Sequence, residues 1–271
     1  GIVGAAAPMS LAARRAAPPA ALIAHLLLPW LFYAGAVAHR SWAAAGAASL
    51  LLAGVVASAP TLAPAAMITS LDRDVGRLLD LPRELGLERD TIVFFTSDNG
   101  PHRESGQDPA FNRSSGPLRG IKRDLYEGGV RVPMIAWGPG RVPAGRVSDA
   151  VWWFPDFLPT AAELAGVKPP PGLDGISVAR MLAGGRPPRN RPPLYWEFHE
   201  RGFKQAVRDG PWKAVRLAPD APLELYDLRQ DSGETNNLAA REPKIVARME
   251  HLLATSRSSS PDWPIPRPAA P

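Results

Sequence analysis

From Met67 onward the hydrophobic positions fall into short blocks separated by turn residues. Ile68, Leu71, Val75, Leu78 and Leu79 recur at helical spacing, so residues 67–80 are predicted to form an amphipathic helix. Pro82 is expected to kink or end it. The run TIVFFTS (91–97) is β-rich and does not alternate, which predicts a central strand covered on both faces. VPMIAWG (132–138) predicts a second strand of the same kind. FPDFLPTAAELAG (154–166) predicts a helix, with Asp156 near its start and Gly166 as its C-cap.

The pattern changes after the proline-rich stretches KPPPGLDG (168–175) and GRPPRNRPP (185–193). LYWEFHE (194–200), FKQAVRDG (203–210), WKAVRLA (212–218) and LELYDL (223–228) are short runs joined by turns, and predict a small antiparallel sheet. A last helix is expected from about Glu242, with Pro243 in its first turn and Ile245, Met249, Leu252 and Leu253 on its buried face. The Ser- and Pro-rich residues 256–271 are expected to be disordered. The expected fold class is therefore α/β: a partial central mixed or parallel sheet flanked by helices, plus a small C-terminal antiparallel sheet packed with a helix. The expected divisions are 67–183 for the α/β part and 194–255 for the small subdomain.

Residues 1–66 are unlike the rest. They are alanine-rich, hold no Asp or Glu, and carry only Arg14, Arg15 and Arg40 as fixed charges. Two apolar stretches, 21–38 and 42–66, approach or reach the roughly 20 residues a membrane helix needs. Arg14 and Arg15 fit the charged flank of a signal or anchor, and the small residues at 57–59 fit a cleavage site. The competing reading is non-native sequence with no selected structure. His25 and Pro29 weaken a spanning helix. The first residue, glycine rather than methionine, fits a processed or partial chain.

The whole chain has 271 residues, 45% hydrophobic and 21% charged, enough for a real core. Its net charge of +5 is spread without a dense Lys/Arg run, which argues against a nucleic-acid partner. It has no cysteine, so disulfides, thiolate chemistry and cysteine-ligated zinc are excluded.

The chemistry concentrates at the end of the first predicted strand, in FFTSDNGPH (94–102). Ligands of open α/β sheets sit beyond the carboxyl ends of strands. Asp98 and Asn99 stand there and offer hard oxygens, which suit Ca²⁺ or Mg²⁺. The plainer reading of Asp-Asn-Gly is a turn signal. The stretch GPLRGIKRDLYEGGVRVP (116–133) then brings Arg119, Lys122, Arg123 and Arg131 into one loop that leads back into a strand. A fixed cation beside a metal suits an anionic substrate whose leaving oxygen gains charge.

These motifs resemble the sulfatases, the arylsulfatase-type sulfuric ester hydrolases of the alkaline phosphatase superfamily. FFTSDNGPH and GPLRGIKRDLYEGGVRVPMIAWGPG are similar to the family's metal and lysine motifs. WEFHERGFKQAVRDGPWKAVR and LELYDLRQDSGETNNLA are similar to its C-terminal subdomain. The resemblance covers residues 67–255, the C-terminal portion of such an enzyme. It implies that Asp98 and Asn99 are the second pair of metal ligands, usually for Ca²⁺, with Mg²⁺ as the alternative. It implies that Lys122 contacts the sulfate group, as both a catalytic and a substrate-binding residue. His102 stands just past the metal pair as a catalytic candidate, matched more loosely. His199 is a candidate for the substrate end of the cleft, or a plain histidine of the subdomain sheet. Glu127 and Arg131 read as loop-fixing residues paired with each other.

The implied partner is a sulfated small molecule or sulfated sugar, and the implied location periplasmic or secreted, with a membrane anchor through 21–66 as the variant. The family's nucleophile is a formylglycine made from the first residue of a Cys- or Ser-x-Pro-x-Arg motif far upstream. Here only SGPLR (115–119) fits that pattern, and it falls after the metal pair, so it reads as coincidence. No acid precedes Asp72, so the family's first metal pair is absent as well. The chain alone is therefore expected to be an incomplete and inactive portion of a sulfatase. The competing readings are a phosphatase or phosphonate hydrolase of the same superfamily, and a non-catalytic, membrane-anchored anion-binding module.

Overall fold

The computed structural model of the chain describes residues 65–104 and 107–266. The apolar stretches at 21–38 and 42–64, and with them the expected anchor and cleavage site, lie outside those residues. Among the described residues no helix is long and apolar enough to cross a membrane.

Helix α1 covers 65–84 and runs through Pro82 rather than stopping before it. Its apolar stripe is largely uncovered, with Ile68, Leu71 and Leu78 all exposed. A 3₁₀ turn at Glu88–Asp90 leads into strand β1, Val93–Thr96. The one-turn helix α2, Glu127–Val130, precedes strand β2, Met134–Trp137. These strands pair antiparallel, Phe94 facing Ala136 and Phe95 facing Ile135. The central sheet expected as mixed or parallel is thus an antiparallel pair among the described residues.

Among the described residues that pair is packed mainly on one face; on the other, the Arg83 guanidinium covers Trp137 at 5.5 Å from its ring centroid. Phe94 meets Trp152 and Phe157 edge to face, with ring centroids 5.5 and 5.8 Å away. On the other face Phe95 and Ile135 are exposed. A Phe94-side cover is supplied by a 3₁₀ turn, Phe154–Asp156, and helix α3, Phe157–Leu164. Asp156 is fully buried there and receives Arg191 through both carboxylate oxygens, at 3.2 and 2.5 Å, with the Ile176 N–H at 2.9 Å. Helix α4, Ala179–Leu182, follows.

The second sheet is better closed. Strands β3 (Leu194–Phe198), β4 (Lys204–Asp209), β5 (Trp212–Arg216) and β6 (Glu224–Asp227) form an antiparallel meander in sequence order. Alternation along them feeds two cores. One face carries Val207, Ala214 and Leu225 onto Met249 and Leu253 of helix α5, Pro243–Thr255. The other face carries Ala206, Val215 and Tyr226 onto Leu125 and Tyr126, which belong to the lysine-bearing loop. The segment after Ser256, expected to be disordered, is tied down at Arg257, which holds Glu197 at 2.6 Å and also donates to the Trp263 carbonyl.

Candidate functional site

The end of β1 turns through Ser97, Asp98 and Asn99 into Gly100, which is buried. The Ser97 hydroxyl donates to the Asn99 carbonyl at 3.1 Å, and the Asn99 amide donates to Asp98 Oδ1. This turn is stitched to the lysine loop through the main chain. The Gly100 N–H donates to Gly129 O at 2.9 Å, and the Lys122 N–H donates to Pro101 O at 2.8 Å. A side chain at Gly100 would collide with the Gly128 carbonyl, and one at Gly128 with the carbonyls of Arg119 and Gly120. Glycine is required at both places by backbone-to-backbone approach, not by turn geometry alone.

The result is one open cleft of about 890 Å³. Asp98, Asn99, His102 and Lys122 all stand on its wall, with Ser115 and Arg131 beside them. Asp98 is exposed, and Asn99 and Lys122 are half-buried. His102 accepts the Glu104 N–H on Nδ1 at 3.1 Å, which leaves Nε2 as the nitrogen to meet a ligand. Next to Lys122, Arg123 is held in the left-handed region at φ 78°, a conformation non-glycine residues rarely adopt and one that needs surrounding contacts to persist. Those contacts are ion pairs to Glu104 at 2.7 Å and Glu200 at 2.9 Å. The hydrogen bond from Arg123 holds the Glu104 carboxyl below its ordinary range.

His199 is not part of this wall. Its Nε2 lies 3.2 Å from Glu197 Oε1, and its ring packs against Phe203 and Trp263 at 5.0 and 5.3 Å. It sits within the subdomain sheet's aromatic edge, the plainer of its two expected positions. Glu197 also takes the Tyr195 hydroxyl at 2.8 Å. Burial pushes the Tyr195 hydroxyl up to about 12.

The expected Glu127–Arg131 pairing is present, as an ion pair at 4.0 Å with a mostly exposed guanidinium and an Arg131 N–H donating to Glu127 O at 2.7 Å, but closer side chains also hold Glu127. The Glu127 carboxylate is buried against Lys213 Nζ at 2.9 Å, with Arg208 at 3.7 Å. Lys213 is itself fully buried and stands 3.0 Å from Glu234 Oε1, an ion-pair distance without hydrogen-bond alignment. Burial pushes the Glu234 carboxyl above the ordinary glutamate range, against the pull of Lys213. The Glu127 N–H donates to Glu234 Oε2 at 2.5 Å. Sequence reasoning missed Lys213 and Glu234. The one signal was a lysine in WKAVR on the same strand face as Val215, where a core position calls for an apolar residue or a buried partner.

The Ser115–Arg119 stretch splits apart. Ser115 Oγ donates to Gly120 O at 3.0 Å on the cleft side. Arg119 turns away, donating to the Tyr226 hydroxyl at 2.9 Å and the Glu234 carbonyl at 3.0 Å, with its guanidinium 3.8 Å from the Tyr126 ring centroid. Burial, then the shared Glu224 carboxylate, pushes both tyrosine hydroxyls upward.

Chemically, the cleft offers hard oxygens from an acid and an amide, one ammonium and one imidazole. Among the described residues no group of three His, Cys, Asp or Glu side chains is placed to hold a metal ion.

Comparison with known proteins matches residues 61–167 to the Sulfatase family model. It matches residues 121–259 to the family model described as N-sulphoglucosamine sulphohydrolase, C-terminal. The chain is 36% identical over 222 residues to N-acetylgalactosamine-6-sulfatase of Homo sapiens, covering 71% of this chain and 41% of that protein. A structure solved with its substrate D-glucosamine-2-N,6-O-disulfate aligns with TM-score 0.57 at 27% identity, covering 70% of this chain and 38% of that one. Another, solved with a neocarrahexaose, aligns with TM-score 0.64 at 28% identity, covering 74% and 44%. The chain therefore spans well under half the length of these proteins.

Proposed function

The chain belongs to the sulfatase family, and from that premise we propose that its cleft is the second metal-ligand and sulfate-holding wall of a sulfuric ester hydrolase. The observation that supports this reading is that Asp98, Asn99, His102 and Lys122 line one cavity. Their shared wall follows from the main-chain bonds joining Gly100 to Gly129 and Lys122 to Pro101.

The donor set suits a hard cation in part. Asp98 and Asn99 offer oxygens, as Ca²⁺ or Mg²⁺ requires, but Ca²⁺ takes about six to eight of them. When bound, such a cation supplies positive charge against the oxygens of a sulfate group. Asp98 and Asn99 are the residues that would hold it. The Lys122 ammonium holds a sulfate oxygen and offsets the charge that shifts as the sulfur–oxygen bond breaks. With Nδ1 taken by the Glu104 N–H, the His102 Nε2–H donates a hydrogen bond to the leaving alcohol or phenol oxygen as charge grows on it. The residues present do not fit a formylglycine: the chain has no cysteine, and the arginine of its one Ser-x-Pro-x-Arg stretch faces Tyr226 and Glu234 rather than the cleft. No step through that group is derived. The substrate class is a sulfated sugar or sulfated small molecule, in line with the disulfated glucosamine bound by one structural relative.

Titration calorimetry of the purified chain with Ca²⁺ and inorganic sulfate tests this. Ca²⁺ is expected to bind weakly, sulfate to bind through Lys122, and a chromogenic aryl sulfate to survive intact. Sulfate affinity unchanged in Lys122→Ala would overturn the reading, whereas turnover of the aryl sulfate would overturn only the expectation that this chain alone is inactive. A phosphonate monoester that competes better than sulfate would move the assignment to the phosphonate hydrolases.

A further inference from the structure

Glu234 lies in the loop between β6 and α5, far in sequence from the cleft, yet it touches both ends of the lysine loop. Its carbonyl accepts Arg119 NH1 at 3.0 Å, where the loop begins. Its carboxylate accepts the Glu127 N–H at 2.5 Å, where the loop ends in α2. The residue is completely buried. Its backbone sits in the left-handed region at φ 53°, which aims main chain and side chain at the two loop ends together. A non-glycine residue held there costs free energy and persists only when its surroundings fix it. Lys213 supplies the countercharge at 3.0 Å. Between the clasped ends the Lys122 N–H donates to Pro101 O, its neighbour Arg123 pairs with Glu104 and Glu200, and the ends also meet through the Gly128 N–H on Arg119 O at 2.7 Å.

We infer that Glu234 is a positioning residue for Lys122, clasping both ends of the 119–127 loop so that the ammonium faces the cleft. It touches neither substrate nor metal. This rests on the reading of Lys122 as the sulfate-holding cation, but the clasp itself does not.

Two readouts on the full chain separate the two ideas: amide hydrogen exchange, and the rate at which acetyl N-hydroxysuccinimide acylates Lys122 with and without inorganic sulfate. Glu234→Ala should raise exchange across 119–127 roughly tenfold or more while β4, β5 and β6 keep their protection, because the opening is local. It should weaken the sulfate protection of Lys122 by about tenfold, since small misplacements at a binding atom cost that much or more. Glu234→Gln keeps an oxygen for the Glu127 N–H and should restore both. Arg119→Gln releases the other end from a half-exposed side chain and should loosen the same segment, which keeps the test decisive if Glu234→Ala does not fold. Uniform loss of protection across the sheet, no change at 119–127, or a Gln variant as impaired as the Ala variant would overturn the clasp. Loosened exchange with sulfate protection intact would overturn the positioning role. If sulfate fails to slow Lys122 acylation in the wild-type chain, the sulfate reading falls, and hydrogen exchange still decides the clasp.

Discussion

The two sheets of this molecule use similar residues to different effect. In the small C-terminal sheet, Ala206, Val207, Ala214, Val215 and Leu225 are all fully buried, because both faces find a partner. In the β1–β2 pair, no residue of either strand is fully buried, and Phe95 and Ile135 stand exposed opposite each other. The cleft belongs to the thin pair, but its lysine loop is packed on the thick sheet through Leu125, Tyr126 and Glu127. Order at the site is borrowed from the subdomain beside it, not from the sheet that carries the Asp98–Asn99 turn.

The largest test of that dependence is Lys213→Met. It leaves the buried Glu234 carboxylate without its Lys213 countercharge and Glu127 with only the more distant Arg208 and Arg131, and is expected to cost about 3–5 kcal/mol. Denaturant unfolding followed by tryptophan fluorescence measures it; a loss below about 1 kcal/mol would show that the buried charges do not join the loop to the sheet. Next, Leu225→Ala opens a cavity at a fully buried position facing Met249 and is expected to cost about 2–4 kcal/mol by the same assay. An equal loss from Phe95→Ala, on the thin pair, would erase the contrast between the sheets.

A smaller effect is expected from acid. Burial pushes the Glu197 carboxyl up, but hydrogen bonds from Arg257, Tyr195 and His199 outweigh it and leave the group below the ordinary glutamate value of 4.5. A depressed carboxyl adds stability above its unfolded value and loses it as pH falls through the folded one. The thermal midpoint should therefore drop as pH falls below about 4.5, and Glu197→Gln should remove on the order of 1 kcal/mol of that dependence. Identical pH profiles for the two proteins would discard the Arg257–Glu197 tie. Smallest of all, Ile135→Lys should change stability by no more than about 0.5 kcal/mol. Light scattering at rising protein concentration should nonetheless fall, since the substitution breaks an exposed apolar pair.

The C-terminal half was the more legible in the sequence for a physical reason. Alternation in FKQAVRDG and WKAVRLA records a sheet with two different covers, and Gly166 and Pro243 mark helix ends by local backbone chemistry. Gly166 indeed has φ 70° and closes its helix on Glu163. TIVFFTS misled because an unbroken apolar run implies two full covers, and the described residues cover the Phe95 face only in part, by Arg83 over Trp137. Pro82 misled because helix α1 continues past it for two residues. Asp98, Asn99 and Lys122 were legible as chemistry from residue type and spacing. Their convergence on one pocket was expected with them, but the two main-chain bonds between glycine-permitted turns that bring it about have no local sequence signal. The Glu127–Lys213–Glu234 cluster was invisible because its members are 86 and 107 residues from Glu127 and no local pattern joins them.

Gly100 against Gly129, and Lys122 against Pro101, join the acidic turn to the cationic loop without using a single side chain. The gap between the two turns is thereby written into the backbone trace, open to point substitution chiefly at glycines such as Gly100 and Gly128. Selection acting on this scaffold can swap what lines the mouth, but a lengthened or shortened ligand must fit a fixed ruler at its floor.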